Sequence, residues 1–280
     1  MGYAQQQVPP SIDWLFTRPA FYAEFAPLPQ HRGAVDHYYV LNDRGIMTAD
    51  RRDFASPFTE ISFVFPEGPE NSDRPPKVVV AEPRFGHRKR NRVFHGWIFG
   101  VRSKPSRRPQ SMTDTHPFTD CQARLARAVR SGLSCVDILK VLDRFALDLT
   151  QQGTGQMEET RQLFYDSHSR VTRLAAFHGL STRTLRRRTR TATGLPPKRL
   201  LTMERFRRAV YEVPLRPAEL SGVAGDLGFS DQAHLTREFQ RHAGLTPGAF
   251  QRTWQGGRGQ AVRFVQDSAS PTRLRVAVWA

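Results

Sequence analysis

Only two cysteines, Cys121 and Cys135, occur in the 280 residues, too few for a disulfide framework or a zinc-finger spacing. This scarcity fits a reducing compartment, and a cytoplasmic location is expected. No apolar run approaches the ~18 residues of a membrane span. The polar opening from Met1 to Pro10 has no apolar centre of the kind a secretory signal needs. No Ser-His-Asp or Cys-His grouping and no glycine-rich phosphate loop is recognisable, so neither catalytic residues nor a cofactor are expected. The first half holds His31, His37, His87 and His95 but no His-x-His pair. They read as surface or structural histidines, and no metal is expected. Acidic side chains are also scarce. With 26 Asp and Glu against 42 Lys and Arg, the net charge is +16 and the pI about 11.0. Such a balance favours a polyanion partner, nucleic acid or less often an anionic membrane surface, over general solubility alone.

A chain of this length holds roughly two domains of about 100 to 200 residues each. Residues 1–110 are rich in proline, glycine and aromatics. Short apolar runs (Val35 to Leu41, Ile61 to Phe65, Lys77 to Ala81, Val93 to Val101) stand between turn signals. They read as strands of a small sandwich or barrel. Ser103 to Pro117 reads as a polar linker. The period then changes. Leu125 and Val129, then Ile138, Leu142, Phe145 and Leu149, recur three and four apart and predict two amphipathic helices joined at Gly132. Residues 111–155 are therefore expected as a helical linker or interface region. A helical signal resumes at Met157 and runs to about Trp254. The tail 256–280 carries two strand-like runs, Ala261 to Val265 and Leu274 to Trp279, with no obvious place.

Within 156–255 one pattern occurs twice, about 50 residues apart. The first copy runs Leu174-Ala175-Ala176-Phe177-His178-Gly179-Leu180-Ser181, then Leu185, Arg187, Thr189 and Gly194. The second runs Val223-Ala224-Gly225-Asp226-Leu227-Gly228-Phe229-Ser230, then Leu235, Arg237, Phe239 and Gly244. Each reads as a short helix, a glycine turn, a capping serine and a second helix that ends at glycine, which is the order of a helix-turn-helix. The plainer alternative is a helical hairpin in a bundle. Between the copies, Pro196 to Val213 predicts a helix with the apolar stripe Leu200, Met203, Phe206 and Val210. At 1.5 Å per residue it is roughly 25 Å long, enough to set two recognition helices about one DNA turn, ~34 Å, apart. From His168 to Gln255 there are 16 Lys and Arg against 6 Asp and Glu, so most of the excess charge lies here.

Arginine can bond guanine bidentately and glutamine can bond adenine in the same way. Arg183, Arg186 and Arg187 on the first second-helix, and Gln232, Thr236 and Arg237 on the other, are suited to base edges. The run Arg186-Arg187-Arg188, with Arg190, exceeds what base reading needs, so some of these side chains should neutralise phosphates. Arg187 and its counterpart Arg237 keep two open roles: base contact, or a structural salt bridge or phosphate contact.

The segment Ala224 to Phe239 with Gly244-Leu245-Thr246-Pro247 resembles the signature of AraC/XylS-type transcription regulators. So do Leu174-Ala175, Leu185-x-Arg187, Gly194 and, in the linking helix, Glu204-Arg205-Phe206-x-x-Ala209. The resemblance spans about 90 residues. It implies an α+β protein: a β-rich, cupin-like N-terminal domain that binds an effector or dimerises, then an all-α domain with two helix-turn-helix units. It further implies double-stranded DNA as partner, with a small-molecule effector, RNA polymerase and a homodimer as further partners. Its base-contacting positions correspond to Arg183, Arg186 and Arg187, and to Gln232, Ala233, Thr236 and Arg237. Thr189 departs from the pattern, which has an apolar aromatic there, and is expected to pack the first unit less well than Phe239 packs the second. In the first half, Arg84 to Arg108 holds nine Lys and Arg and no acid. This run reads as a solvated basic loop, an anionic effector pocket or an auxiliary DNA contact. Phe85, Phe94, Trp97 and Phe99 are core or pocket aromatics. The effector-binding residues stay unassigned.

Overall fold

The structure is a computed structural model that describes residues 19–44, 51–66, 75–90, 94–104, 116–132, 134–152, 171–216, 218–256, 260–263 and 274–279. The described strands are β1 (Ala20–Phe25), β2 (Val35–Arg44), β3 (Arg51–Asp53), β4 (Thr59–Pro66), β5 (Lys77–Ala81), β6 (Arg88–Arg90), β7 (His95–Ser103), β8 (Gln260–Arg263) and β9 (Leu274–Trp279). The helices are α1 (His116–Arg130), α2 (Cys135–Gln152), α3 (Val171–Phe177), α4 (Thr182–Thr193), α5 (Pro197–Glu212), α6 (Leu220–Asp226), α7 (Gln232–Ala243) and α8 (Pro247–Gly256). The fold is α+β, with an antiparallel sheet in the N-terminal part and a helical C-terminal part. The start of the helical signal, Met157 to Arg170, and most of the Ser103 to Pro117 linker lie outside the described residues.

Seven strands form one sheet in the order β5-β4-β7-β2-β1-β9-β8, and β3 and β6 pair separately as a two-stranded ribbon. Alternation sets the faces. In β4, Ile61, Phe63 and Phe65 are buried and the residues between them are half-buried. Such aromatic and β-branched side chains suit a half-covered pleated surface. Helices α1 and α2 turn their apolar stripes onto this face. Leu125, Leu142 and Phe145 share one core with Phe21, Tyr38, Phe63 and Trp97. Phe63 and Phe145 meet edge-to-face at 5.2 Å, and the Tyr38 hydroxyl donates to Asp143 Oδ1 at 2.9 Å. The turn between the helices passes through Gly132 at φ +96°, where a side chain would be strained.

Helices α1 and α2 share the sheet's core, because an amphipathic stripe needs an apolar face and this sheet supplies one. Strand β9 lies antiparallel beside β1, from Phe21↔Trp279 to Phe25↔Leu274, and β8 lies outside β9. The all-α part is thus inserted between strands of one sheet.

The central strands meet at a close approach. Gly100 of β7 is paired with Tyr39 of β2, and a Cβ at position 100 would fall among the Tyr39 ring atoms. The Tyr39 hydroxyl is held by Ser62 Oγ at 2.7 Å, so the ring cannot simply swing aside. Among the described residues no helix is long and apolar enough to cross a membrane. Gly100→Ala is expected to cost about 2 kcal/mol, the usual range for overpacking a core. Chemical denaturation compared with the parent protein measures this, and an unchanged midpoint refutes the close-approach argument.

Candidate nucleic-acid interface

The two repeats fold into two units of the same design. In the first, α3 ends at a turn with Gly179 at φ +62°, and α4 runs from its cap Ser181 to Gly194 at φ +73°. Ser181 Oγ accepts from Thr184 N at 3.1 Å. In the second, α6 leads through Gly228 at φ +74° to α7, which ends at Gly244 at φ +69°. Here the expected serine cap is replaced. Asp231 caps α7, Oδ1 accepting from His234 N at 2.6 Å. One more residue separates the glycine turn from the helix than in the first unit. Ser230 sits in that extra position, its N donating to His234 Nδ1 at 3.3 Å. The bond from the His234 backbone holds the Asp231 carboxyl below its ordinary value, with burial opposing. Both helices end on a left-handed glycine whose N–H returns to the last turn, Gly194 to Arg190 O and Gly244 to Gln240 O, each at 2.8 Å.

Helix α5 joins the units by contributing to both cores. Leu200 and Leu201 pack with Leu174, Ala175 and Leu185 of the first. Met203, Phe206 and Ala209 pack with Val223, Leu235 and Phe239 of the second. Phe206 and Phe239 meet at 5.3 Å. Polar ties add direction. Arg205 Nη1 donates to Gly228 O at 2.8 Å, which fixes the second unit's turn against the spacer. The buried Glu204 carboxylate accepts two bonds from Arg207, at 2.8 and 2.7 Å, so its charge is not left alone in the core.

On α4, Arg183, Arg186, Arg187, Arg188 and Arg190 are all exposed. At 100° per residue, Arg183, Arg186, Arg187 and Arg190 share one face. Arg188 stands roughly 140° round from Arg183, off that face. On α7, Gln232, Ala233 and Arg237 are exposed and Thr236 is half-buried. The Thr236 hydroxyl donates to Gln232 O at 2.9 Å. Among the described residues neither Arg187 nor Arg237 is held in an ion pair within the chain. Matching Leu185 to Leu235 and Gly194 to Gly244 pairs Arg190 with Gln240, an exposed residue one turn beyond Thr236 that the sequence reading does not single out. The signal for it is present in the chain: the 50-residue offset of the repeats.

Thr189 is fully buried and its Oγ1 has no hydrogen-bond partner among the described residues. Aromatic side chains from the sheet part enter both cores. Phe58, from the loop before β4, is buried in the first unit's core. The neighbouring Phe54 packs edge-to-face on Phe206 at 6.0 Å and on Phe250 at 5.7 Å in the second. Ala55 N donates to His242 O at 3.0 Å, and Phe85 meets the His242 ring at 4.7 Å. The sheet's other face joins α5 through charge. Tyr211 donates to Glu24 Oε2 at 2.8 Å, and Arg207 reaches to within 3.9 Å of Asp36. Between these carboxylates lies buried His37, 2.7 Å from Asp36 and 3.7 Å from Glu24. Burial pushes its pKa down against the pull of Glu24. Among the described residues no group of three His, Cys, Asp or Glu could hold a metal ion.

Two such units on a shared spacer define a double helix-turn-helix module. Residues 174–253 match the family model described as helix-turn-helix domain. No curated protein matches the chain. Among solved structures it is similar to ToxT from Vibrio cholerae O395, at 9% identity over 83% of this chain and 96% of that one, with a TM-score of 0.39. It is also similar to wild-type ToxT from Vibrio cholerae strain SCE256 with an unsaturated fatty acid bound, at 7% identity over 85% and 96%, with a TM-score of 0.39.

Because Phe58 fills the first unit's core, Phe58→Ala is expected to cost about 3 kcal/mol. Amide exchange should rise more in α3 and α4 than in α6 and α7. Equal protection in both units would show that Phe58 does not support the first. In the same core, Thr189→Val removes a buried hydroxyl without a partner and is expected to raise stability by about 1 kcal/mol, read as a higher denaturation midpoint.

Proposed function

We propose that this chain is a sequence-specific, double-stranded DNA-binding transcription regulator. Helices α4 and α7 enter neighbouring stretches of major groove and read an asymmetric site. The single observation that carries this reading is the pair of solvent-facing surfaces at matched positions, Arg183/Ala233, Arg186/Thr236, Arg187/Arg237 and Arg190/Gln240, on two helices locked to one spacer. Arg183, Arg186, Arg187, Gln232, Ala233, Thr236 and Arg237 meet base edges. Arg190 and Arg188 meet phosphates, Arg188 from the side of its helix. Gln232 stands in the first turn of α7, where recognition helices approach bases.

The N-terminal sheet domain controls this module, by binding a small-molecule effector, by forming a homodimer, or by both. What supports control is the shared packing: Phe54, Ala55, Phe58 and Phe85 stand in the cores of the two units, and Glu24 and Asp36 face α5. A change of shape in the sheet domain therefore reaches both recognition helices. RNA polymerase is the further partner such a regulator engages, and the cytoplasm is its place of action.

Selection of duplexes from a random pool tests the reading. The chain should prefer its selected site over a scrambled duplex by about 10³-fold or more at one salt concentration. Gln232→Ala should cost about 1 to 3 kcal/mol and relax choice at one base position. Equal affinity for selected and scrambled duplexes would instead mark a general nucleic-acid-binding protein. A Gln232→Ala variant weakened equally on every sequence would remove Gln232 from base reading.

A further inference from the structure

A second concentration of positive charge lies in the N-terminal part, in the run of nine Lys and Arg without an acid between Arg84 and Arg108. Part of it, Arg88–Arg90, is strand β6. It pairs antiparallel with β3, with Arg51 opposite Arg90, Arg52 opposite Lys89 and Asp53 opposite Arg88. Every rung of this ribbon carries a basic residue. Successive rungs belong to opposite faces, so neither face has an apolar residue to bury in a core. Like charges directly opposite one another destabilise a strand pair, and two of the three rungs are Arg–Arg or Arg–Lys. A polyanion laid along the ribbon would relieve that repulsion.

The ribbon's position names the polyanion. Its Asp53–Arg88 rung lies beside the last turn of α7. Ala55, two residues beyond Asp53, donates to His242 O. His87, next to Arg88, has Nδ1 3.4 Å from Arg241 O. The bridge between Ser56 and Arg84 closes the base of the ribbon, and Phe85 is fixed between the His242 ring and the Arg199 guanidinium, 4.6 Å from its centroid. Helix α7 is ~18 Å long and the major groove ~12 Å wide. With the first turns of α7 at the base edges, its last turn stands at the phosphate rim, and the ribbon is carried there with it.

We propose that the β3–β6 ribbon is a phosphate clamp on the DNA backbone beside the site read by α7. The clamp rests on the DNA-reading role of the two helices and extends it. It touches the sugar-phosphate backbone without base choice, which adds affinity and salt dependence. It also places part of the sheet domain in the DNA interface itself, so the pose of that domain bears on binding directly.

The test uses the full chain and a selected duplex in two forms, one with long flanks and one trimmed to the bases that selection fixes. Arg52→Gln combined with Lys89→Gln is compared with the parent protein from about 50 to 200 mM salt. On the long duplex, affinity should fall about tenfold or more, and the slope of log K against log salt should shrink by about 1 to 2, at roughly 0.9 for each phosphate no longer neutralised. The trimmed duplex should show a smaller decrease, and a repeated selection should return the same bases. Unchanged affinity and slope on the long duplex overturn the clamp, while a Gln232→Ala effect in the same assay leaves base reading standing. A parent protein that binds selected and scrambled duplexes alike overturns base reading, and the clamp falls with it. If the double variant is less heat-stable than its parent, a photo-crosslinking group at position 89 replaces it. Crosslinks to the flank beside the α7 site are then expected, and their absence overturns the proposal.

Discussion

One helix holds this module in shape. Helix α5 has no core of its own: Leu200 and Leu201 belong to the first unit and Met203, Phe206 and Ala209 to the second. Neither α3 nor α6, at seven residues each, is long enough to be stable as an isolated helix in water. Each persists because it closes a core that α5 also enters. The orientation of α4 relative to α7 is therefore a property of packed side chains and not of a flexible linker. Such packing changes in steps and not continuously. For the DNA reading proposed above, that rigidity leaves little freedom to lose on binding.

The same rigidity reaches the sheet by two different routes. One is apolar: the loop carrying Phe54, Ala55 and Phe58 packs into the cores of both units. The other is ionic. Glu24, buried, and Asp36, half-buried, share His37 on their own side and take Tyr211 and Arg207 from α5. Removing one member of such a cluster strands another charge away from water. The apolar packing tolerates small shifts, whereas the ionic cluster depends on geometry. The pair makes the interface both adhesive and specific in its pose.

Much of the helical half is legible in the residues. Glycines at 179, 194, 228 and 244 all take the left-handed conformation that the repeat pattern implies, and of the apolar stripe of α5 Leu200, Met203 and Phe206 are buried and Val210 is half-buried. Local chemistry fixes such features. The cap of α7 is harder to assign because Ser230 and Asp231 are both good caps, and only the register of the backbone chooses between them. In the sheet half, β2, β4, β5 and β7 announce themselves as short apolar runs between turn signals. Strands β3 and β6 do not, since a run of arginines has no apolar period to read. Strand β1 gives no clear signal, and β8 and β9 can be seen but not placed. Their partners lie far away along the chain, and pairing over such distances leaves no local mark. The entry of Phe58 into the first unit's core is hidden for the same reason: nothing near Leu174 or Leu185 in the sequence points to it.

The pairing of β9 with β1 also has a bearing on how the molecule is made. A ribosome delivers β1 early and its outer neighbour only after all the helices have emerged. At about 5 to 20 residues per second, that wait is on the order of ten seconds or more. Throughout it, one margin of the nascent sheet has unsatisfied main-chain groups, the condition under which strands of different molecules join. A chaperone or a transient local partner for β1 would be most valuable in that interval, and translation halted within the helical segment would leave the margin bare.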